Sequence, residues 1–161
     1  MRKTRKGSIV DIISIVVLVL VFAMTVLISY RVISDWNDKT AAIGVPAVYA
    51  TNSLNALKVF NYGFLFIFVG SMIATIITAF SIRTHPAFFI VSLIVFAIVI
   101  ALSAILSNVF EEFIVSDLVS GITSNFGVMI NIMQNLPMWV TGLGAAILIA
   151  LYAKSRGGDG F

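Results

Sequence analysis

The sequence predicts an all-α membrane protein: four transmembrane helices with an outer, interfacial amphipathic helix. Three observations lead there. Hydrophobic residues fill 60% of the 161 positions and charged residues 11%, whereas a water-soluble domain carries about 25% charged and about 45–50% apolar residues. Four stretches lack Asp, Glu, Lys, Arg and His over the roughly 20 residues, at about 1.5 Å each, that a bilayer core requires. The basic residues also gather on one side of those stretches.

The first stretch, residues 12–30, lies between Asp11 and Arg31 and follows a basic N-terminus of Arg2, Lys3, Arg5 and Lys6. A secretory signal has similar flanks, but this run is too long for one and no A-x-A-like site follows it, so the segment is expected to remain as a span. Residues 59–82 run from Lys58 to Arg83. Residues 87–109 follow Pro86, whose missing N–H costs nothing in a first helical turn, and end before Glu111 and Glu112. Residues 136–153 end before Lys154. The whole chain, residues 1–161, reads as a single membrane domain.

With the N-terminus inside, the inner face receives Arg2, Lys3, Arg5, Lys6, Arg83, Lys154 and Arg156, and the outer face only Arg31, Lys39 and Lys58. Basic residues in short loops set orientation far more than acids do. Both termini are therefore expected on the cytoplasmic or enclosed side. Tyr30, Tyr62, Trp139 and Tyr152 fall near the expected span ends, where amphipathic rings prefer the headgroup level.

The inner connection is short, whereas the outer ones, residues 31–58 and 110–135, are long. Within the second, Leu118, Val119, Ile122, Phe126, Met129, Ile130 and Met133 fall within about 120° on a helical wheel. That pattern predicts an amphipathic helix over residues 117–135, N-capped by Ser116 or Asp117 and followed by Pro137. Its polar face carries almost no charge, so it suits protein contact better than anionic lipid. Leu118, Ile122, Phe126, Met129 and Met133 are the candidate partner-contact residues, with a packing cap over the bundle as the alternative. Gly121 and Gly127 would each weaken an isolated helix by about 1 kcal/mol. In the first outer loop Gly44 and Pro46 are breakers, and residues 47–58 could run as a helix into the second span. Ile33-Ser34-Asp35-Trp36 and Val115-Ser116-Asp117-Leu118 hint at duplication, which matching backbones would support.

Chemistry is constrained more by what is missing. The chain has no Cys and one His, His85, which removes disulfides, thiolate chemistry and thiolate metal sites. The span centres carry no ionisable residue, although pumps and ion-coupled transporters depend on such groups. Glu111 and Glu112 point about 100° apart on a helix and have no His or carboxylate one turn on, which suits a solvated span end better than a paired site. Gly157-Gly158-Asp159-Gly160 is a polar tail and not a phosphate loop. No catalytic residue, metal or cofactor is expected, and the protein is expected not to be an enzyme. Arg2, Lys3, Arg5 and Lys6 are candidates for contact with anionic lipid or, weakly, nucleic acid. Small residues at helical spacing, namely Gly70, Ala74, Thr78, Ala97, Ala101, Gly142, Ala146 and Ala150, would let helices approach closely within the bundle or between copies.

Arg5-Lys6-Gly7 before an apolar helix resembles a prepilin signal, but pilins carry an acid one position later than Asp11 and have no further spans. The short chain, basic N-terminus, short ends and lack of a catalytic constellation resemble the small multi-pass membrane proteins of icosahedral viruses with an internal membrane, the tectivirus-like and corticovirus-like phages. That resemblance implies a virion location and a structural role, with the protein shaping a lipid vesicle and contacting other membrane or capsid proteins as a homo- or hetero-oligomer. A holin-like pore former and an accessory subunit of a larger membrane complex are the alternatives.

Overall fold

A computed structural model describes residues 9–44, 48–81 and 86–156. The described residues form helices and turns, with no strand among them. Helices α1 (Ile9–Ala42), α2 (Val48–Ser81) and α3 (Pro86–Val115) are each long and apolar enough to cross a membrane. A 3₁₀ turn, Thr123–Phe126, leads into the short α4 (Gly127–Gln134), and α5 (Leu136–Arg156) completes the chain. The segments 123–134 and 136–150 meet at 48° and together amount to one further broken span or a re-entrant loop.

α1 packs on α2 and α3, and α5 on α3 and α2. α2 and α3, although consecutive, therefore occupy opposite corners of a four-cornered bundle. α4 lies across α2 and α3 at the end of the bundle away from the α2–α3 connection, the end expected to face outward. α1 is the most buried of the three long helices. Of its buried residues, Val16, Leu20, Ala23, Leu27 and Tyr30 recur alternately four and three apart, with Val19 and Val26 beside them, the spacing of a left-handed packing seam. Against it an aromatic row descends from Phe60 through Phe22, Phe64 and Phe68 to Trp139, with ring centroids 5.9–6.3 Å apart.

Hydroxyl groups within the long helices bond their own backbone, as crossing a membrane would require. Thr25, Ser71, Thr75 and Thr78 each donate to the carbonyl four residues back at 2.7–2.8 Å. An apolar solvent offers no other acceptor.

Three expectations need correction. In the first outer connection residues 48–58 run as a helix into the second span as expected, but α1 also continues past residue 30 to Ala42; among the described residues Gly44 at φ 75°, a conformation that glycine adopts without strain, marks the turn. The amphipathic helix expected over residues 117–135 is broken into a turn, a 3₁₀ segment and α4, because Gly121 takes φ 87°. Finally, Ile33–Trp36 lies inside α1 while its counterpart leaves α3 at Val115, so unlike backbones remove the case for duplication.

Candidate functional site

The most organised polar structure lies where residues 116–135 fold back over the outer end of the bundle. Ser116 does not cap a helix start; its hydroxyl donates to Phe113 O at 2.6 Å and closes the end of α3. The chain then turns through Gly121 and sends Val119, Ile122, Phe126, Met129, Ile132 and Met133 into the core, each no more than 6% exposed. Tyr30 meets Phe126 edge to face at 5.1 Å.

A short helix buried in an apolar setting leaves its first N–H groups and last carbonyls without partners. Side chains from two long helices supply them. Asn61 of α2, itself buried, accepts the Met129 N–H through Oδ1 at 2.9 Å. Ser107 of α3 donates to Met133 O at 3.0 Å and Gln134 O at 2.7 Å. Asn135 closes the break by donating its backbone N–H and its Nδ2 to Asn131 O, while its own carbonyl accepts Met138 N–H and Trp139 N–H at the start of α5. At the rim, Arg31 reaches Ser120 O at 3.4 Å and pairs with Asp35 at 3.2 Å, and Lys58 Nζ stands 6.0 Å from the Tyr30 ring centroid.

Of the candidate partner-contact residues, Ile122, Phe126, Met129 and Met133 are therefore buried in their own bundle, and only Leu118, at 67% exposed, faces outward. The stripe was legible, but its occupant is the chain itself, so the packing-cap alternative holds for these four. Asn61 and Ser107 escaped the sequence reading because isolated polar residues in apolar runs give no periodic signal. Their mere presence in such runs was the available clue.

The small residues also redistribute. Gly70, Ala74, Thr78, Ala97, Ala101 and Gly142 are exposed, Ala146 is half-buried and Ala150 buried. A Cβ built on Gly70 or Gly142 meets nothing within 4 Å. Close packing within the chain falls instead at Gly144, where an added Cβ would overlap the Phe96 ring. Within the chain α5 turns residue 144 toward α3 and leaves Gly142 on an open face, where only contact with another helix from outside the chain could use it.

Tyr30 is buried, whereas Tyr62 and Tyr152 are exposed and Trp139 packs partly on Phe68. Glu111 and Glu112 are exposed near the end of α3. Among the described residues no three His, Cys, Asp or Glu side chains come together as a metal site. Arg2, Lys3, Arg5, Lys6, His85 and the Gly157–Gly160 tail lie outside the described residues. Comparison with family models, curated proteins and solved structures finds no match.

Proposed function

We propose that this is a non-enzymatic structural protein of a viral or phage membrane, present in many copies. α5 completes a four-span bundle, both termini lie on the enclosed side, and the outer surface contacts neighbouring copies or an overlying protein layer. The observation that carries the reading is how the bundle's buried polar groups are spent. Asn61 and Ser107 are both engaged with the ends of α4, and Ser103 bonds Ile100 O within its own helix at 2.7 Å. Groups used this way hold an architecture. Apart from buried Ser92 and the Oδ1 of Asn37, the rest of the described interior is apolar packing, which suits a rigid membrane element.

The 21 residues of α5 reach about 31 Å at 1.5 Å per residue, which suits a fourth crossing. The open small-residue faces on α2, α3 and α5, at Gly70, Ala74, Ala97, Ala101 and Gly142, favour association between copies, because such faces let helices approach closely in lipid. With the apolar stripe of residues 119–133 buried, outer contacts fall to Leu118, to the exposed polar side at Ser120, Ser124 and Asn131, and to the α1–α2 hairpin. The basic N-terminus would face the enclosed lipid or genome.

The test is cryo-EM and quantitative proteomics of the membrane particle that carries the protein. Many ordered copies with lattice contacts through Leu118 or the hairpin are the expected result. Absence from mature particles, together with ion leakage when the protein is expressed alone, would reject it in favour of a holin-like pore. One copy bound to a different membrane subunit through the small-residue faces would favour the accessory-subunit reading.

A further inference from the structure

α2 and α3 stand at opposite corners of the bundle, and each leaves most of its surface to something outside the chain. Only 17% of the most apolar stretch of either helix is buried, against 39% for α1. Both are also long for the membrane that the other two corners fit. Residues 59–81 of α2 and 86–110 of α3 carry no charge over about 35–38 Å, whereas residues 12–30 of α1 and 136–153 of α5 cover about 27–29 Å, close to the roughly 30 Å of a bilayer core. One corner of a packed bundle cannot tilt by itself. Its excess length is relieved where it meets another helix as long as itself.

The open faces of the two helices carry one pattern. From the outer side inward, α2 presents Phe66, Gly70, Ala74 and Ile77, and α3 presents Ile105, Ala101, Ala97 and Ile94, all exposed. Each row runs large, small, small, large, at the same steps along its helix. The rows also lie at one depth. Asn61 sits about 13–14 Å outward of Gly70, and Ser107 about 9 Å outward of Ala101, at 1.5 Å per residue. These two side chains hold opposite ends of α4, and the 48° bend between residues 123–134 and 136–150 makes α4 descend about 4–5 Å from one to the other. Gly70 therefore stands level with Ala101.

Polar groups at the outer ends of the same rows match as well. Tyr62 is 63% exposed one turn outward of Phe66, and Asn108 is exposed just outward of Ile105. Neither side chain bonds another described residue. Tyr62 lies about 12 Å outward of Gly70 and Asn108 about 10–11 Å outward of Ala101, so they share a depth. An amide within an apolar run gains most from a partner on a neighbouring helix.

We propose that α2 of one copy packs against α3 of the next, with Gly70 and Ala74 on Ala101 and Ala97 and the Tyr62 hydroxyl bonded to the Asn108 amide. α2 runs inward and α3 outward, so copies sharing one orientation bring the rows together in register. Because the two faces lie at opposite corners, each contact leaves a free face at either end, and copies join head to tail in a row within one membrane. The inference rests on the many-copy membrane reading and names the contact through which copies meet.

The experiment uses the full chain in the membranes of expressing cells, where the lack of native Cys allows disulfide trapping with a membrane-permeant oxidant. Gly70→Cys and Ala101→Cys are oxidised separately, co-expressed, and combined in one chain. The expected result is a cross-linked dimer only on co-expression and a ladder of multimers from the double variant. Gly70→Leu and Asn108→Leu, each at an exposed site, should reduce detergent-solubilised multimers to monomers while leaving the melting temperature unchanged. Dimers from each single variant alone, with none particular to co-expression, would overturn head-to-tail pairing and leave the many-copy reading standing. Multimers that survive both leucine variants would overturn it too, and a chain monomeric throughout would overturn the pairing and the many-copy reading together.

Discussion

Two segments leave the outer end of the bundle and take opposite courses. Residues 31–58 carry α1 and α2 outward as a helical hairpin whose apex is exposed. Residues 116–135 turn back and bury Phe126, Met129 and Met133 completely. Both contain a left-handed glycine, Gly44 at φ 75° and Gly121 at φ 87°, although only the second is poor in charge, with Asp117 alone against Arg31, Asp35, Asp38, Lys39 and Lys58 in the first. The difference lies in where the glycine falls and what surrounds it. Gly44 sits near the middle of its segment and leaves a helix on either side. Gly121 follows shortly after the end of α3 and redirects an apolar stripe onto the bundle, where Asn61 and Ser107 wait for the ends of the new helix. A fold-back therefore requires acceptors and donors in the neighbouring spans as well as a turn.

The contrast is broken most severely by placing a charge in each segment. Phe126→Asp buries a carboxylate with no counter-charge and is expected to cost more than about 4 kcal/mol, or to prevent folding. Tyr49→Asp, at an exposed site, should change stability by no more than about 0.5 kcal/mol. Denaturant unfolding in detergent distinguishes them, and equal losses would mean the two segments do not differ in burial.

Removing the anchors sharpens the comparison. Asn61→Leu strands the Met129 N–H and is expected to cost about 1–3 kcal/mol. Ser107→Ala strands the last carbonyls of α4 and should cost about as much. Hydrogen exchange resolved by residue would show early exchange confined to residues 123–135 in both variants, with the hairpin unaffected. If exchange rises uniformly instead, α4 is not held by these two side chains.

A comparable contrast exists within α5. Gly144→Ala must displace the Phe96 ring and is expected to cost about 1–3 kcal/mol, whereas Gly142→Ala, facing open space, should be within about 0.5 kcal/mol of wild type. Melting temperatures in detergent would check both. At the rim, Arg31→Gln loses a half-exposed ion pair and a long hydrogen bond, so a loss of about 0–1 kcal/mol is expected.

Legibility in the sequence followed the same divide. The long helices were readable because uncharged length is a strong signal, and the stripe from Leu118 to Met133 was readable because burial imposes helical spacing. Two features were not. Helical continuation of α1 through Arg31, Asp35 and Lys39 hides behind charges that resemble a loop, since hydropathy marks the end of an apolar run and not the end of a helix. That Gly144 and not Gly142 meets α3 within the chain depends on the rotation of α5 against α3, which spacing within one helix cannot set. Asn61 and Ser107 have roles that exist only once α2, α3 and α4 have been brought together.

Because the chain lacks native Cys, single-cysteine labelling tests the opposed courses of the two segments most directly. Tyr49→Cys, Trp36→Cys, Met129→Cys and Met133→Cys would be exposed to a membrane-impermeant maleimide from the outer side of intact vesicles. Rapid labelling at 49 and 36, with positions 129 and 133 protected until the protein is unfolded, is the expected result. Comparable labelling at 129 and 49 in the folded protein would contradict a buried cap beside a projecting hairpin.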